Sequence, residues 1–168
     1  HLGELSKAAG RIFEIGKDIA GLNEIFRAPR LRGGIGEFFL ADILAQCLPA
    51  AHYELQYGFK NGSRCDAVIR LKGGLLPVDS KFPLENFKRS MESSADEERR
   101  AARRRFLADC RKHIDSIASS YIRPEEGTLN FALMYIPAEN VYYETIIKDA
   151  DAGGETLAPY AFSKRVVP

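Results

Sequence analysis

Residues 64–84 read RCDAVIRLKGGLLPVDSKFPL, two apolar, strand-like runs joined at Lys-Gly-Gly. No other stretch restricts the fold as tightly. Aliphatic residues on either side of a Gly pair are the pattern of an antiparallel hairpin. With Gly73 and Gly74 as a two-residue turn, Lys72 pairs with Leu75, Val68 with Asp79, and Asp66 with Lys81. Side chains alternate with period two, so Asp66, Asp79 and Lys81 then share one face. Ala67, Ile69, Leu71, Leu76 and Val78 form the other, a core face. In this register Asp66 and Asp79 are diagonal neighbours, with Cβ atoms roughly 7 Å apart or a little less. Two carboxylates at that separation can share one divalent cation. A solvated strand face with an Asp–Lys cross-strand pair is the plainer reading of the same residues. A one-residue slip would put Asp66 on the opposite face from the other two.

Around the hairpin the periodicity changes from two to three and four. Leu5, Ala8, Ile12, Ile15, Ile19 and Leu22 mark a helix over residues 2–28, at heptad spacing that fits a coiled coil or packing against the chain's own core equally well. RAPRLRGGIGE interrupts it. A second helix is predicted over 37–48, with Leu40, Ile43, Leu44, Cys47 and Leu48 on its apolar stripe and Pro49 closing it. HYELQYGF (52–59) reads as a strand and KNGS as a turn. Residues 83–121 are helical in pattern, broken near ESSADEE, where Ser94 and Glu97 have capping-box spacing. TLNFALMYIP (128–137) reads as a strand covered on both faces. Two short helices and a strand beginning at RVVP come next. This order predicts a mixed sheet with helices packed on it, not a repeating βαβ array.

Length and charge narrow the function classes. A chain of 168 residues supports one well-filled core. A net charge of +1 gives no general attraction to polyanions, so any nucleic-acid surface must come from local clusters. The three cysteines, Cys47, Cys65 and Cys110, have no metal-ligand spacing and fit a reduced, cytosolic setting. Cys47 and Cys110 read as small buried apolar residues. No apolar run is long enough to span a membrane, so no membrane contact is expected from this stretch. No dinucleotide fingerprint or P-loop is present, which ranks a small-molecule enzyme last.

Glu37 lies three residues before Leu40 and seven before Leu44, on the core-facing stripe of its helix. It either favours the helix N-terminus or supplies a third metal-binding carboxylate over the sheet. A dry site with two acids needs a cation to offset their repulsion. Arg27, Arg30 and Arg32 lie just upstream and can hold phosphates, Arg32 being the best placed. The RRAARRR run (99–105) spreads around a helix and reads as a solvated face. Gln56 and His113 are further candidates for nucleic-acid contact. Strand-surface and satisfied structural roles are their respective alternatives.

LRGGIGEFFLADIL, RCDAVIRLKGGLLPVDSKFPL and LMYIPAENVYYETI resemble the RmuC family of DNA recombination proteins, in order and spacing from about Arg27 onward. The resemblance implies an α/β core similar to the PD-(D/E)XK restriction-endonuclease-like fold. Carried over residue by residue, the first Asp is Asp66, the D-x-K pair is Asp79 and Lys81, and the helical acid is Glu37. Cys65 stands where the family usually has Pro, and Ile35 where an aromatic is common. The resemblance implies metal-dependent phosphodiester hydrolysis on DNA, with Mg²⁺ (Mn²⁺ as the alternative ion) held by Asp66, Asp79 and Glu37. A DNA-binding or scaffolding module that keeps the fold without turnover is the competing expectation. Residues 1–28 would be the end of a coiled coil that favours homo-oligomers, preceded in the family by a membrane-anchoring segment. Residues 29–168 would be the nuclease-like domain, truncated at its C-terminal end and cytoplasmic.

Overall fold

The computed structural model describes residues 34–80, 95–137, 139–142, 146 and 157–168. The chain divides into two compact units, His1–Ile35 and Gly36–Pro168. The heptad seam over 2–28, Arg32, Lys81 and the stretch 81–94 lie outside the described residues. The second unit holds every described strand.

Helix α1 (Gly34–Cys47) is followed by strands β1 (Tyr53–Gly58), β2 (Arg64–Leu71) and β3 (Gly74–Asp79). Then come the long helix α2 (Asp96–Tyr121), strand β4 (Ala132–Met134), a short helix α3 (Glu139–Tyr142), helix α4 (Leu157–Ser163) and strand β5 (Val166–Val167). The five strands form one sheet in chain order. β1, β2 and β3 pair antiparallel, whereas β4 and β5 join in parallel. The switch is set by the connections. Two-residue and short turns reverse the chain, but a 26-residue helix between β3 and β4 carries it back to the same end. The fold is mixed α/β, as the element order predicts.

Each sheet face buries a different helix. Leu40 and Leu44, one turn apart on α1, pack on Ala67 and Val78. On the opposite face Phe106, Cys110, Ile114 and Ile117 of α2 pack with Ala132, Met134 and Val166, joined by Leu157 and Ala161 of α4. The 3–4 spacing of the α2 residues gives the helix its apolar stripe. Ile114 is fully buried. Ile114→Ala should lower unfolding stability by about 2–5 kcal/mol, measured by urea denaturation, because the cavity left behind cannot collapse between a helix and a sheet.

Three local expectations are corrected. The hairpin turn is Lys72-Gly73, since Leu71 pairs with Gly74, Ala67 with Val78 and Val68 with Pro77 rather than Asp79. Gly74 is therefore the first residue of β3. Its φ is +138°, and a Cβ there would lie 2.6 Å from the Gly127 carbonyl oxygen, so only glycine fits. Helix α2 opens with Ala95 in the cap position and no side-chain cap hydrogen bond, in place of the Ser94–Glu97 box. Asp96, Glu97 and Glu98 supply first-turn negative charge instead. Cys110 is buried as expected, but Cys47 and Ile43 are exposed, on the side of α1 turned from the sheet. Among the described residues, no helix is long and apolar enough to cross a membrane.

Candidate functional site

The shifted hairpin register brings the two acids closer than the sequence implies. One step beyond the Ala67–Val78 pair, Asp66 and Asp79 lie level on neighbouring strands. Directly opposed residues have Cβ atoms roughly 5 Å apart. Asp66 is 3% exposed and Asp79 is 1% exposed. A solvated strand face is therefore not what these carboxylates form. They lie on the face that α2 covers.

Burial of two carboxylates is costly unless donors meet them. The Ser80 backbone N–H and Ser80 Oγ both donate to Asp66 Oδ2, each at 2.7 Å. His113, from α2, places Nε2 3.0 Å from Asp79 Oδ2 with its side chain 19% exposed. Tyr121, two turns further along α2, has its hydroxyl close to Asp79. Burial, and then the negative charge of Asp79, pushes that hydroxyl above the usual tyrosine range, which keeps it a donor. The Cys65 thiol is pushed up to about 12 by burial and by the nearby Asp79 and Asp66. It is a protonated, inert thiol at neutral pH.

Glu37 approaches from the other direction. It lies in the first turn of α1, and its Oε2 accepts a hydrogen bond of 3.1 Å from Gln56 Nε2. Gln56 falls level with Asp66, between the Leu55–Ala67 and Tyr57–Cys65 pairs. Its φ of +54° is left-handed, a conformation that costs a non-glycine residue of order 1–2 kcal/mol. Strain of this kind persists where neighbours impose it. The start of α1 is seated on the end of β3, with Gly36 against the Ser80 carbonyl.

Of the sequence candidates, Asp66, Asp79 and His113 come together on the α2 face, while Glu37 and Gln56 form a pair that joins the start of α1 to β1. Lys81 and Arg32 lie outside the described residues. Sequence reasoning missed Ser80 and Tyr121. Ser80 sits inside the D-S-K triplet, where its hydroxyl could have drawn notice. Tyr121 carries no local signal, because its role depends on α2 lying over the acids.

Two hard carboxylate oxygen sources on one face fit a divalent cation such as Mg²⁺, which is commonly held by one or two carboxylates, waters and substrate phosphate. Among the described residues no three His, Cys, Asp or Glu side chains gather as a metal-binding group. Glu37, expected to bind the ion through water or to help bind a second one, accepts its hydrogen bond from Gln56.

Fold and site define a mixed α/β domain that buries a pair of carboxylates beneath a helix. The chain belongs to the RmuC family, whose signature matches residues 1–168. The DNA recombination protein RmuC homolog of Xylella fastidiosa (strain Temecula1) is 26% identical over 157 residues, covering 86% of this chain and 34% of that protein. The DNA recombination protein RmuC of Salmonella typhimurium (strain LT2) is 28% identical over 137 residues, covering 76% of this chain and 29% of that protein. The chain spans about a third of the length of these curated relatives. No solved structure matches it.

Proposed function

We propose that this chain carries the catalytic centre of a metal-dependent deoxyribonuclease that acts in DNA recombination. The observation that supports this most is the burial of Asp66 and Asp79 side by side, since a fold gains nothing in stability from two adjacent buried acids. The names of the relatives supply the DNA context. Asp66 and Asp79 would hold Mg²⁺ or Mn²⁺, with Glu37 as the further carboxylate that would assist it. A bound ion supplies an activated water and neutralises charge on the scissile phosphate. Lys81 follows Asp79 by two residues and stabilises the charge that develops on the phosphorus oxygens. Arg32 and Gln56 contact the DNA backbone. His113, held against Asp79, is better placed to orient that carboxylate than to contact DNA.

The test is cleavage of linear, nicked and branched DNA with and without Mg²⁺, by the wild type and by Lys81→Ala. Mg²⁺-dependent product that falls by about 10²–10³-fold in Lys81→Ala is the expected result. Product formed equally without divalent metal would overturn the reading. A scaffold that binds DNA without turnover is favoured by one observation, the near-complete enclosure of both acids. Salt-sensitive DNA affinity with no nicking under any metal condition would identify it.

A further inference from the structure

We propose that His113 and Tyr121 of α2 are positioning residues that fix the Asp79 carboxylate for metal binding. This inference rests on the metal-dependent reading of the Asp66–Asp79 pair. His113, Ile117 and Tyr121 repeat at intervals of four residues, so they lie along one stripe of α2. Ile117 is fully buried in the core between helix and sheet. The two polar side chains flanking it converge on the same carboxylate.

Tyr121 is itself held in place. Its ring stacks on Phe59 with centroids 5.9 Å apart and planes 24° from parallel. Phe59 in turn meets Tyr57 edge-on at 5.1 Å. The hydroxyl that reaches Asp79 is therefore at the end of a rigid aromatic ladder, anchored on β1 and the turn after it. Ser80 does the equivalent for Asp66, with two donors on one oxygen. Asp66 thus has two donors from the end of β3, and Asp79 has polar side chains of α2 against it. Groups that orient a ligating carboxylate without touching the metal typically control affinity by about 10–100-fold.

A purely structural role would predict lost stability with unchanged affinity. Calorimetric titration of the 168-residue chain with Mn²⁺ separates the two. Tyr121→Phe keeps the ring stack and removes only the hydroxyl. It should weaken Mn²⁺ binding about 10-fold or more and lower kcat for nicking without raising KM for DNA. His113→Ala should weaken Mn²⁺ binding by a similar factor, and His113→Gln, which keeps a side-chain N–H donor, should recover most of it. Ile114→Val serves as the packing control, lowering the melting temperature and leaving Mn²⁺ affinity as in the wild type. Wild-type affinity in both Tyr121→Phe and His113→Ala, or no recovery in His113→Gln, would overturn the inference alone. A wild-type chain that takes up no Mn²⁺ would overturn it together with the metal-dependent reading.

Discussion

Asp79→Asn should abolish Mg²⁺-dependent cleavage and leave the fold standing. Asp79 is nearly fully enclosed at the end of β3, with His113 and Tyr121 at its carboxylate. Asparagine has the same shape and can accept from the Tyr121 hydroxyl, but it brings no negative charge to a cation. Removing that charge should cost about 10²–10³-fold or more in single-turnover nicking, since the interaction lost is electrostatic and made in a water-poor site. The effect on stability runs the other way. A buried carboxylate carries a large desolvation cost, so its neutral isostere relieves a penalty while losing the His113 contact. The melting temperature should therefore change little. Asp79→Ala should be equally inactive but less stable by about 1–3 kcal/mol, because it leaves buried polar atoms of α2 facing a void. Full nicking activity in either variant would remove Asp79 from the chemistry.

The hairpin shows what local sequence can and cannot fix. Its turn lies one residue earlier than a Gly-Gly pair implies, and the register moves by two. The face assignment survives because side chains alternate with that same period. The cause of the shift is not local. Gly74 is needed where β3 passes the Gly127 carbonyl, a contact with a segment more than fifty positions away in the chain. The same limit applies to exposure. Leu40 and Leu44 are buried as their spacing implies, but Ile43 and Cys47 at compatible spacings are not, since one face of a sheet accepts a narrower stripe than periodicity alone allows. Asp66 and Asp79 stand out in the sequence because carboxylates are rare among aliphatic strand residues. The contacts of Ser80, His113 and Tyr121 with them are visible only once α2 is known to cover that face and β3 to end beside Asp66. The acid pair carried by one strand pair was legible, and the side chains that meet it across the fold were not.

Gly36→Ala should destabilise the chain and impair the site, against the usual effect of removing glycine from a helix. Alanine in place of glycine within a helix normally gains about 1 kcal/mol. At Gly36, in the first turns of α1, an added Cβ would lie 2.7 Å from the Ser80 carbonyl oxygen and 3.4 Å from Ser80 Cβ and Oγ. The obstacle is backbone, not the flexible end of a side chain. It also cannot retreat freely, because the adjoining Asp79 carbonyl accepts a 2.8 Å hydrogen bond from the Tyr135 N–H and the Ser80 N–H is committed to Asp66. Overpacking of this kind costs about 1–3 kcal/mol, which outweighs the propensity gain and leaves a net loss of up to about 2 kcal/mol in urea unfolding. The larger effect should be on nicking. Relief of the clash moves either Glu37 with α1 or Ser80 with its grip on Asp66, and a displacement of about 1 Å in a preorganised site can cost roughly 10²-fold. Gly58→Ala, at a position with no atom near the new methyl, is the matched control and should leave activity unchanged. A Gly36→Ala chain as stable and as active as the Gly58→Ala chain would show that the start of α1 does not press on the end of β3.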